Sequence, residues 1–132
     1  MEAFPQDELL KYFSKIHRKT KIYLNEKCKP LAISSGQIAF IMIACEKGSL
    51  PQNQFCTLLD MDKSTVAKMI QKLEKENLVY RLTNENDNRS ILVSPTPQAQ
   101  AIYPVLRQIG SQWVAEITSD LSAVEKAVFM PF

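Results

Sequence analysis

The chain has 132 residues, a formal net charge of +2 and an ordinary apolar content, which fits one domain able to bury a core without disulfides. Its longest apolar run, 38–45, is too short to span a bilayer, and its N-terminus lacks the order of a signal peptide. The three cysteines are widely spaced, which argues against a disulfide framework or a zinc cluster. A reduced, cytoplasmic protein is expected.

Charge alone does not identify a partner for this chain. Acidic and basic residues balance within 50–94, and the excess of basic residues lies near the N-terminus. Any nucleic-acid surface must therefore depend on where the charges point and not on how many there are.

A long first helix is predicted over about 7–27, between Pro5 and Pro30. Apolar side chains recur along it at steps of three and four residues, as in Leu10, Phe13, Ile16, Tyr23 and Leu24. Little chain precedes this stripe to cover it. The stripe therefore fits either contact with another subunit or docking on its own domain.

A second helix is predicted from a cap at Ser34 or Ser35 through Glu46, ended by Gly48, and its apolar surface places it in the interior. A third, short helix is expected to start at Pro51. Its predicted inner face is formed by Phe55, Leu58 and Leu59.

A tight turn at 60–62 leads to a fourth helix over about 63–76, capped by Asp62. Asn77 ends it, because asparagine tolerates the left-handed conformation wanted there. The spacing predicts that one face of this helix is buried, through Val66, Met69, Ile70 and Leu73.

Two short strands are predicted over 79–82 and 90–93, around a loop of turn-forming residues. Thr96 then caps a fifth helix that runs toward Ile117, and Ser122 begins a last one. Helix, turn, helix and hairpin in this order predict a mainly α fold, a winged helix-turn-helix with a small β-hairpin wing.

The outward face of the fourth helix is suited to reading DNA. Its first turns are small and polar, which allows close approach to a major groove. Lys68 can reach guanine acceptors or phosphate, Gln71 can read adenine, and Ser64 and Thr65 can meet base edges or phosphate. A solvated polar face is the plainer interpretation, and the turn before the helix and the hairpin after it argue against that interpretation.

The hairpin tip adds a second signal. The Asp87 carboxylate can hold the Arg89 guanidinium extended, which suits a narrow, electronegative minor groove. Arg81, at the base of the hairpin, could either contact phosphate or brace the wing. Asn53, near the start of the third helix, could donate to phosphate.

These residues carry a family resemblance. The run STVAKMIQKLEKENLVYR over 64–81, followed by Asp87-Asn88-Arg89, resembles the MarR (multiple antibiotic resistance regulator) family, and the similarity extends over nearly the whole chain. The chain departs from the family pattern at Asn77 and Ala99, where glycine is common, and at Lys68, where arginine is frequent. Its last helix, interrupted by Pro131, is also shorter than usual.

The resemblance implies a transcription regulator that binds a pseudo-palindromic operator in double-stranded DNA as a homodimer. A repressor is expected more than an activator, because a protein that occupies the DNA blocks access to the promoter. The resemblance implies a single domain over 1–132, with a winged helix-turn-helix lobe at 34–94 and dimerisation helices at 1–33 and 97–132. It assigns base contacts to Ser64, Thr65 and Lys68, and the minor-groove contact to Arg89, supported by Asp87.

Relatives of this kind often respond to small aromatic or phenolic effectors bound between the dimer helices and the DNA-binding lobe. The candidate lining residues in this chain are His17, Tyr23, Phe40 and Trp113, although aromatics at helical spacing are more often plain core. Some relatives sense oxidants, and Cys28, between Lys27 and Lys29, could have a lowered pKa.

An enzyme is not expected. The sequence has one histidine, no glycine-rich phosphate loop and no metal-ligand spacing, so no cofactor or metal is predicted. The alternative to a DNA-binding regulator is a winged-helix module that binds another protein without sequence-specific DNA recognition.

Overall fold

The structure, a computed structural model, describes residues 6–83 and 90–119. Its helices and strands follow one another as α1 (Gln6–Lys27), a short 3-10 turn (Lys29–Leu31), α2 (Ser35–Lys47), β1 (Leu50–Pro51), α3 (Gln54–Leu59), α4 (Lys63–Lys75), β2 (Val79–Thr83), β3 (Ile91–Pro95) and α5 (Pro97–Ile117). The winged helix-turn-helix and the mainly helical class are confirmed. Within the described ranges, no helix is both long and apolar enough to cross a membrane.

The capping residues explain where the helices begin and end. Asp62 and Thr96 accept hydrogen bonds from the backbone N–H three residues later, at the starts of α4 and α5. Gly48 follows α2, and Asn77 adopts the predicted left-handed conformation after α4, with φ at 60°. These predictions of the helix ends are confirmed.

The prediction that Pro51 opens the third helix is wrong, because Pro51 lies in a strand that the sequence did not reveal. β1 pairs antiparallel with β3, with Leu50 opposite Val93 and Pro51 opposite Leu92. The strand order is β1-β3-β2, so β1 is an edge strand, where a proline without an N–H is tolerated. The helix begins three residues later, at Gln54.

The core of the lobe lies between α2, α3, α4 and the sheet. The Phe40 and Phe55 rings stack there with centroids 5.4 Å apart, and Ile70 and Leu73 of α4 are completely buried. Leu58 was expected in this core and is 49% exposed instead. On the short α3, Phe55 and Leu59 already supply one inward-facing row at i and i+4, and Leu58 falls beside it.

The two longest helices meet at a polar and aromatic contact. The Tyr23 ring of α1 stacks on Trp113 of α5 with centroids 4.6 Å apart, and Trp113 Nε1 donates to Thr20 Oγ1 at 2.8 Å. Pro104 lies inside α5 without ending it. The last helix predicted from Ser122 lies outside the described residues.

The apolar stripe of α1 is packed on its own chain only in part. Its C-terminal part, at Tyr23 and Leu24, packs against the core of its own chain. Its N-terminal part is exposed at Leu10, Phe13 and Ile16, by 66%, 59% and 46%.

Candidate nucleic-acid interface

The turn between α3 and α4 sets the position of the predicted recognition helix. Asp60 ends α3 in the left-handed region with φ at 54°, which reverses the chain within two residues. Asp62 Oδ1 then accepts from Thr65 N at 2.7 Å and from Ser64 Oγ at 3.0 Å. These hydrogen bonds, the backbone one foremost, lower the pKa of the Asp62 carboxyl.

The two faces of α4 separate as the spacing predicts. Val66, Ile70 and Leu73 are buried, and Met69 is half-buried against the same core. The four side chains predicted to contact DNA from this helix are all exposed: Ser64, Thr65, Lys68 and Gln71. The described face is therefore polar. It carries Lys68 near its middle, with Lys72 and Lys75 exposed toward the C-terminal end, and its first turn is open to a ligand.

Arg81 does not extend toward solvent from the base of the hairpin. It makes a two-point contact with Glu74 of α4, with Nη2 to Oε1 at 2.9 Å and Nε to Oε2 at 3.3 Å. The hydrogen bonds from Arg81 lower the pKa of the Glu74 carboxyl. Of the two roles considered for Arg81, bracing of the wing against the recognition helix is the one with geometric support.

A depression of about 340 Å³ lies between α3, the start of α4 and the start of β3. Asn53 and Lys63 line its rim, and Val66, Ala67 and Ile91 supply apolar surface. This arrangement brings Asn53 close to the first turn of the recognition helix, as a phosphate contact would require.

Lys63 is absent from the residues predicted from the sequence, although a signal for it was present. A lysine in the first turn of a helix opposes the helix dipole, so it does not serve helix stability. Lys63 and Asn53 line the same depression, and an ammonium together with an amide suits an anionic ligand instead.

The wing is described up to its tip. β2 and β3 pair antiparallel from Val79 opposite Pro95 to Thr83 opposite Ile91. The loop that these strands support carries Asp87 and Arg89, which lie outside the described residues. Their minor-groove role stays a prediction.

The four residues predicted to line an effector pocket lie in different surroundings. Phe40 is 1% exposed inside the lobe, and Tyr23 and Trp113 are stacked on each other. His17 lines a different depression of about 340 Å³ between α1 and the start of α2, together with Thr20, Lys21, Leu24, Ser35 and Gly36.

The expectation of a lowered pKa at Cys28 is wrong. The side chain is completely buried, and desolvation raises the pKa of the thiol. The neighbouring Lys27 ammonium lies 5.6 Å above the Tyr23 ring, as a cation over an aromatic face. Burial has therefore decided the ionisation of Cys28, and a reactive thiolate is not supported.

Comparison with known proteins connects this geometry to a family. The sequence model of the MarR family matches residues 33–91. The multiple antibiotic resistance protein MarR of Escherichia coli is 31% identical over 114 residues, which are 85% of this chain and 78% of that protein.

Solved structures share the fold, and two MarR regulators are among them. A MarR transcriptional regulator from Methanosarcina mazei superposes with a TM-score of 0.86 at 30% identity, over 94% of this chain and 90% of the other. A mutant MarR from Escherichia coli in complex with operator DNA gives a TM-score of 0.81 at 27% identity, over 92% and 88%. The similarity in sequence and in structure extends through the helix-turn-helix, the wing strands and both long helices, and this chain therefore belongs to the MarR family.

Proposed function

We propose that this protein regulates transcription by binding a pseudo-palindromic operator as a homodimer, with α4 in the major groove and the wing tip in the minor groove. The observation that carries the proposal is the open polar face of α4, which is backed by a buried apolar face and braced to the wing by Arg81 and Glu74. The Escherichia coli relative crystallised in complex with operator DNA supports operator DNA as the partner.

The exposed residues of α4 divide by chemistry. Lys68 and Gln71 suit guanine and adenine edges. While Ser64 Oγ donates to Asp62, its oxygen can only accept, so it matches a base amino group better than a phosphate. Asn53 and Lys63 suit a phosphate at the rim of the helix-turn-helix. Arg89, held by Asp87, is assigned to the minor groove.

Dimerisation would cover the exposed apolar residues of α1 and the end of α5. Leu10, Phe13 and Ile16 on α1 and Val114 and Ile117 on α5 are each at least 40% exposed. Several large apolar side chains exposed on neighbouring helices are typical of a protein–protein interface. A two-fold dimer would also present two recognition helices to successive major grooves, about one helical turn apart. By occupying a promoter it would act as a repressor, in the cytoplasm and without enzymatic activity.

A small aromatic or phenolic effector would bind at the depression that His17 lines. Lys21 supplies a cation there and Leu24 an apolar wall. Thr20 lines the same depression and accepts the indole hydrogen bond of Trp113, the single tryptophan of the chain. Titration with salicylate as the probe should therefore change tryptophan emission, and an unchanged spectrum would contradict this site.

The DNA-binding proposal is tested by selecting fragments of the source genome with the purified protein and titrating the recovered operator. Binding should weaken steeply as salt rises, because lysine and arginine contacts release counterions from phosphate. Arg89→Ala and Lys68→Ala should each lower affinity, by about 1–3 kcal/mol where a base contact is lost. Glu26→Gln on α1 serves as a control. A wild-type protein without a salt-sensitive complex would favour the alternative, a protein-binding winged helix.

A further inference from the structure

The C-terminal end of the recognition helix carries an acid that helix stability does not explain. Glu76 caps α4, where the negative end of the helix dipole disfavours another carboxylate. The nearby Glu74 has an arginine partner from β2, as described above. Glu76 instead accepts a hydrogen bond from the side chain of Gln37, which belongs to α2.

Both the oxygen and the nitrogen of the Gln37 side-chain amide form hydrogen bonds. It is 1% exposed, and its Oε1 accepts from the Ser34 backbone N–H at 2.9 Å, which closes the first turn of α2. Its Nε2 donates to Glu76 Oε2. One buried side chain thus joins the start of α2 to the end of α4.

The start of α2 is itself held firmly in the fold. The Ser35 backbone N–H donates to Asn25 Oδ1 of α1 at 2.6 Å. A Cβ placed on Gly36 would stand 3.7 Å from Met69 Cε, so the start of α2 lies against the Met69 side chain of the recognition helix. Any movement of α4 relative to α1 and α2 must therefore disturb this junction.

We propose that Gln37 and Glu76 are positioning residues for DNA recognition, and that their hydrogen bond fixes the tilt at which α4 enters the major groove. The inference rests on the proposed DNA-binding function. From Ser64 to Glu76 the helix extends for about 18 Å, so a tilt of roughly 5° at the Glu76 end moves Ser64 by about 1.5 Å. A shift of that size takes a side chain out of hydrogen-bonding range of a base edge.

The test is a swap of the two partners. Gln37→Glu keeps the bond from Ser34, since glutamate is the usual residue of a capping box, but places a second carboxylate against Glu76. It should weaken operator binding about tenfold, the size expected when a charge-assisted hydrogen bond is lost. The double variant Gln37→Glu/Glu76→Gln reverses the direction of the hydrogen bond at unchanged net charge and should restore binding.

A second readout separates positioning from general stability. The wild type should bind an operator whose half-sites are moved apart by one base pair more weakly than the natural operator. For Gln37→Glu the difference in affinity between these two operators should be smaller. Glu76→Ala should lower affinity and spacing preference as Gln37→Glu does, because it removes the carboxylate that accepts from Gln37. Glu76 is exposed, so the truncation leaves no buried cavity. Glu26→Gln, an exposed acid on α1, is the charge control, and melting temperatures verify that each variant folds.

The proposal would be overturned if Gln37→Glu and Glu76→Ala bound with wild-type affinity and spacing preference. It would also be overturned if a fully folded swap variant remained as weak as Gln37→Glu. If the swap variant does not fold, the operator affinity and spacing preference of Glu76→Ala decide between the two outcomes. These outcomes are distinct from the failure of the proposed function, in which the wild type itself forms no salt-sensitive complex.

Discussion

Asp62 both caps α4 and holds the side chain of a neighbouring residue. Its carboxylate ends the turn before α4 by accepting from the Thr65 backbone, and it also holds the Ser64 hydroxyl. Both hydrogen bonds favour the ionised form, which is why the pKa of the carboxyl lies below its ordinary value. The residue that caps the recognition helix therefore also orients a side chain predicted to contact DNA.

Replacement of Asp62 should make stability less dependent on pH. Because the pKa is lower in the folded than in the unfolded protein, the stabilisation is present above the unfolded value and is lost as the pH falls from about 4 through the folded value. Asp62→Ala should lower the melting temperature at pH 7 and remove this contribution to acid sensitivity. Thermal unfolding between pH 2 and pH 7, on the order of one scan per pH unit, measures both effects.

Asp62→Asn is the matched control, because its amide oxygen still accepts from the Thr65 backbone but does not titrate. It should keep most of the stability at neutral pH and lose the same acid-sensitive contribution. An Asp62→Ala protein whose melting curve follows the wild type at every pH would contradict the role assigned to this cap.

Burial changes the chemistry of single residues in a way that neighbours in sequence do not reveal. Cys28 stands between two lysines, which suggested an acidic thiol, yet its pKa is raised because the tertiary fold removes it from water. Arg81 could have been free to reach phosphate, and Glu74, seven residues earlier, holds it instead. In both cases the tertiary fold decides, through burial of Cys28 and through an ion pair of Arg81 with a residue of another element.

At the scale of elements, the connection between α1 and α2 contains a left-handed residue that is not glycine. Ala32 has φ at 58° as the cap of the short turn at 29–31, with its N–H donating to Lys29 O. An L-residue pays for this conformation, because its Cβ approaches the following carbonyl oxygen. The turn therefore holds strain in an exposed position.

Ala32→Gly should stabilise the protein by roughly 0.5–1 kcal/mol, because glycine adopts this φ without steric cost. The greater conformational entropy of glycine in the unfolded chain offsets part of this stabilisation. Urea unfolding followed by circular dichroism measures the change. Ala39→Gly, at an exposed position inside α2, is the matched control and should destabilise by about 1 kcal/mol. If both substitutions destabilise equally, the left-handed conformation of Ala32 is not costly.

For α4 the sequence predicts the helix itself but not its hydrogen bonds to other elements. Its cap, its buried face and its terminating Asn77 follow from local spacing and are confirmed. Its bonds to Arg81 and Gln37 cross 7 and 39 residues of sequence. Each of these bonds joins α4 to a different element, and the periodicity within one element does not show which residues of another will meet it.

At the scale of the whole molecule, the exposed half of the α1 stripe predicts self-association. Fully burying a large apolar side chain stabilises by about 1.5–3 kcal/mol, so Phe13 and its neighbours would supply a substantial share of the proposed dimer interface. The other half of the stripe is used within the chain. One amphipathic helix would thus serve both the fold and the assembly.

Phe13→Glu combined with Ile16→Glu should convert a dimer into a monomer, because two carboxylates would be desolvated on association. Sedimentation velocity measures the species directly, and operator affinity should fall with loss of the second half-site. Ile22→Glu is the control, since Ile22 is 65% exposed and lies about half a turn from Phe13 around α1. A double variant that remains dimeric would exclude this surface as the interface.

The sequence by itself predicted the order of the helices, the hairpin, the caps of α4 and α5, and the polar face of α4. These features depend on residues within a few positions of one another, where periodicity and capping preferences act. The same local pattern carried the resemblance to the MarR family, which the comparisons confirm. The wing tip at Asp87 and Arg89 remains a prediction from sequence alone.

Only the tertiary structure revealed that Leu50 and Pro51 form an edge strand, that Cys28 is buried, and that Phe40 belongs to the core and not to a pocket. It also showed that Lys63 and Asn53 line one depression, and that Gln37 donates a hydrogen bond to Glu76. Each of these results requires two segments distant in sequence to meet, because strand pairing, desolvation and cross-helix hydrogen bonds are properties of packing that one segment does not possess alone.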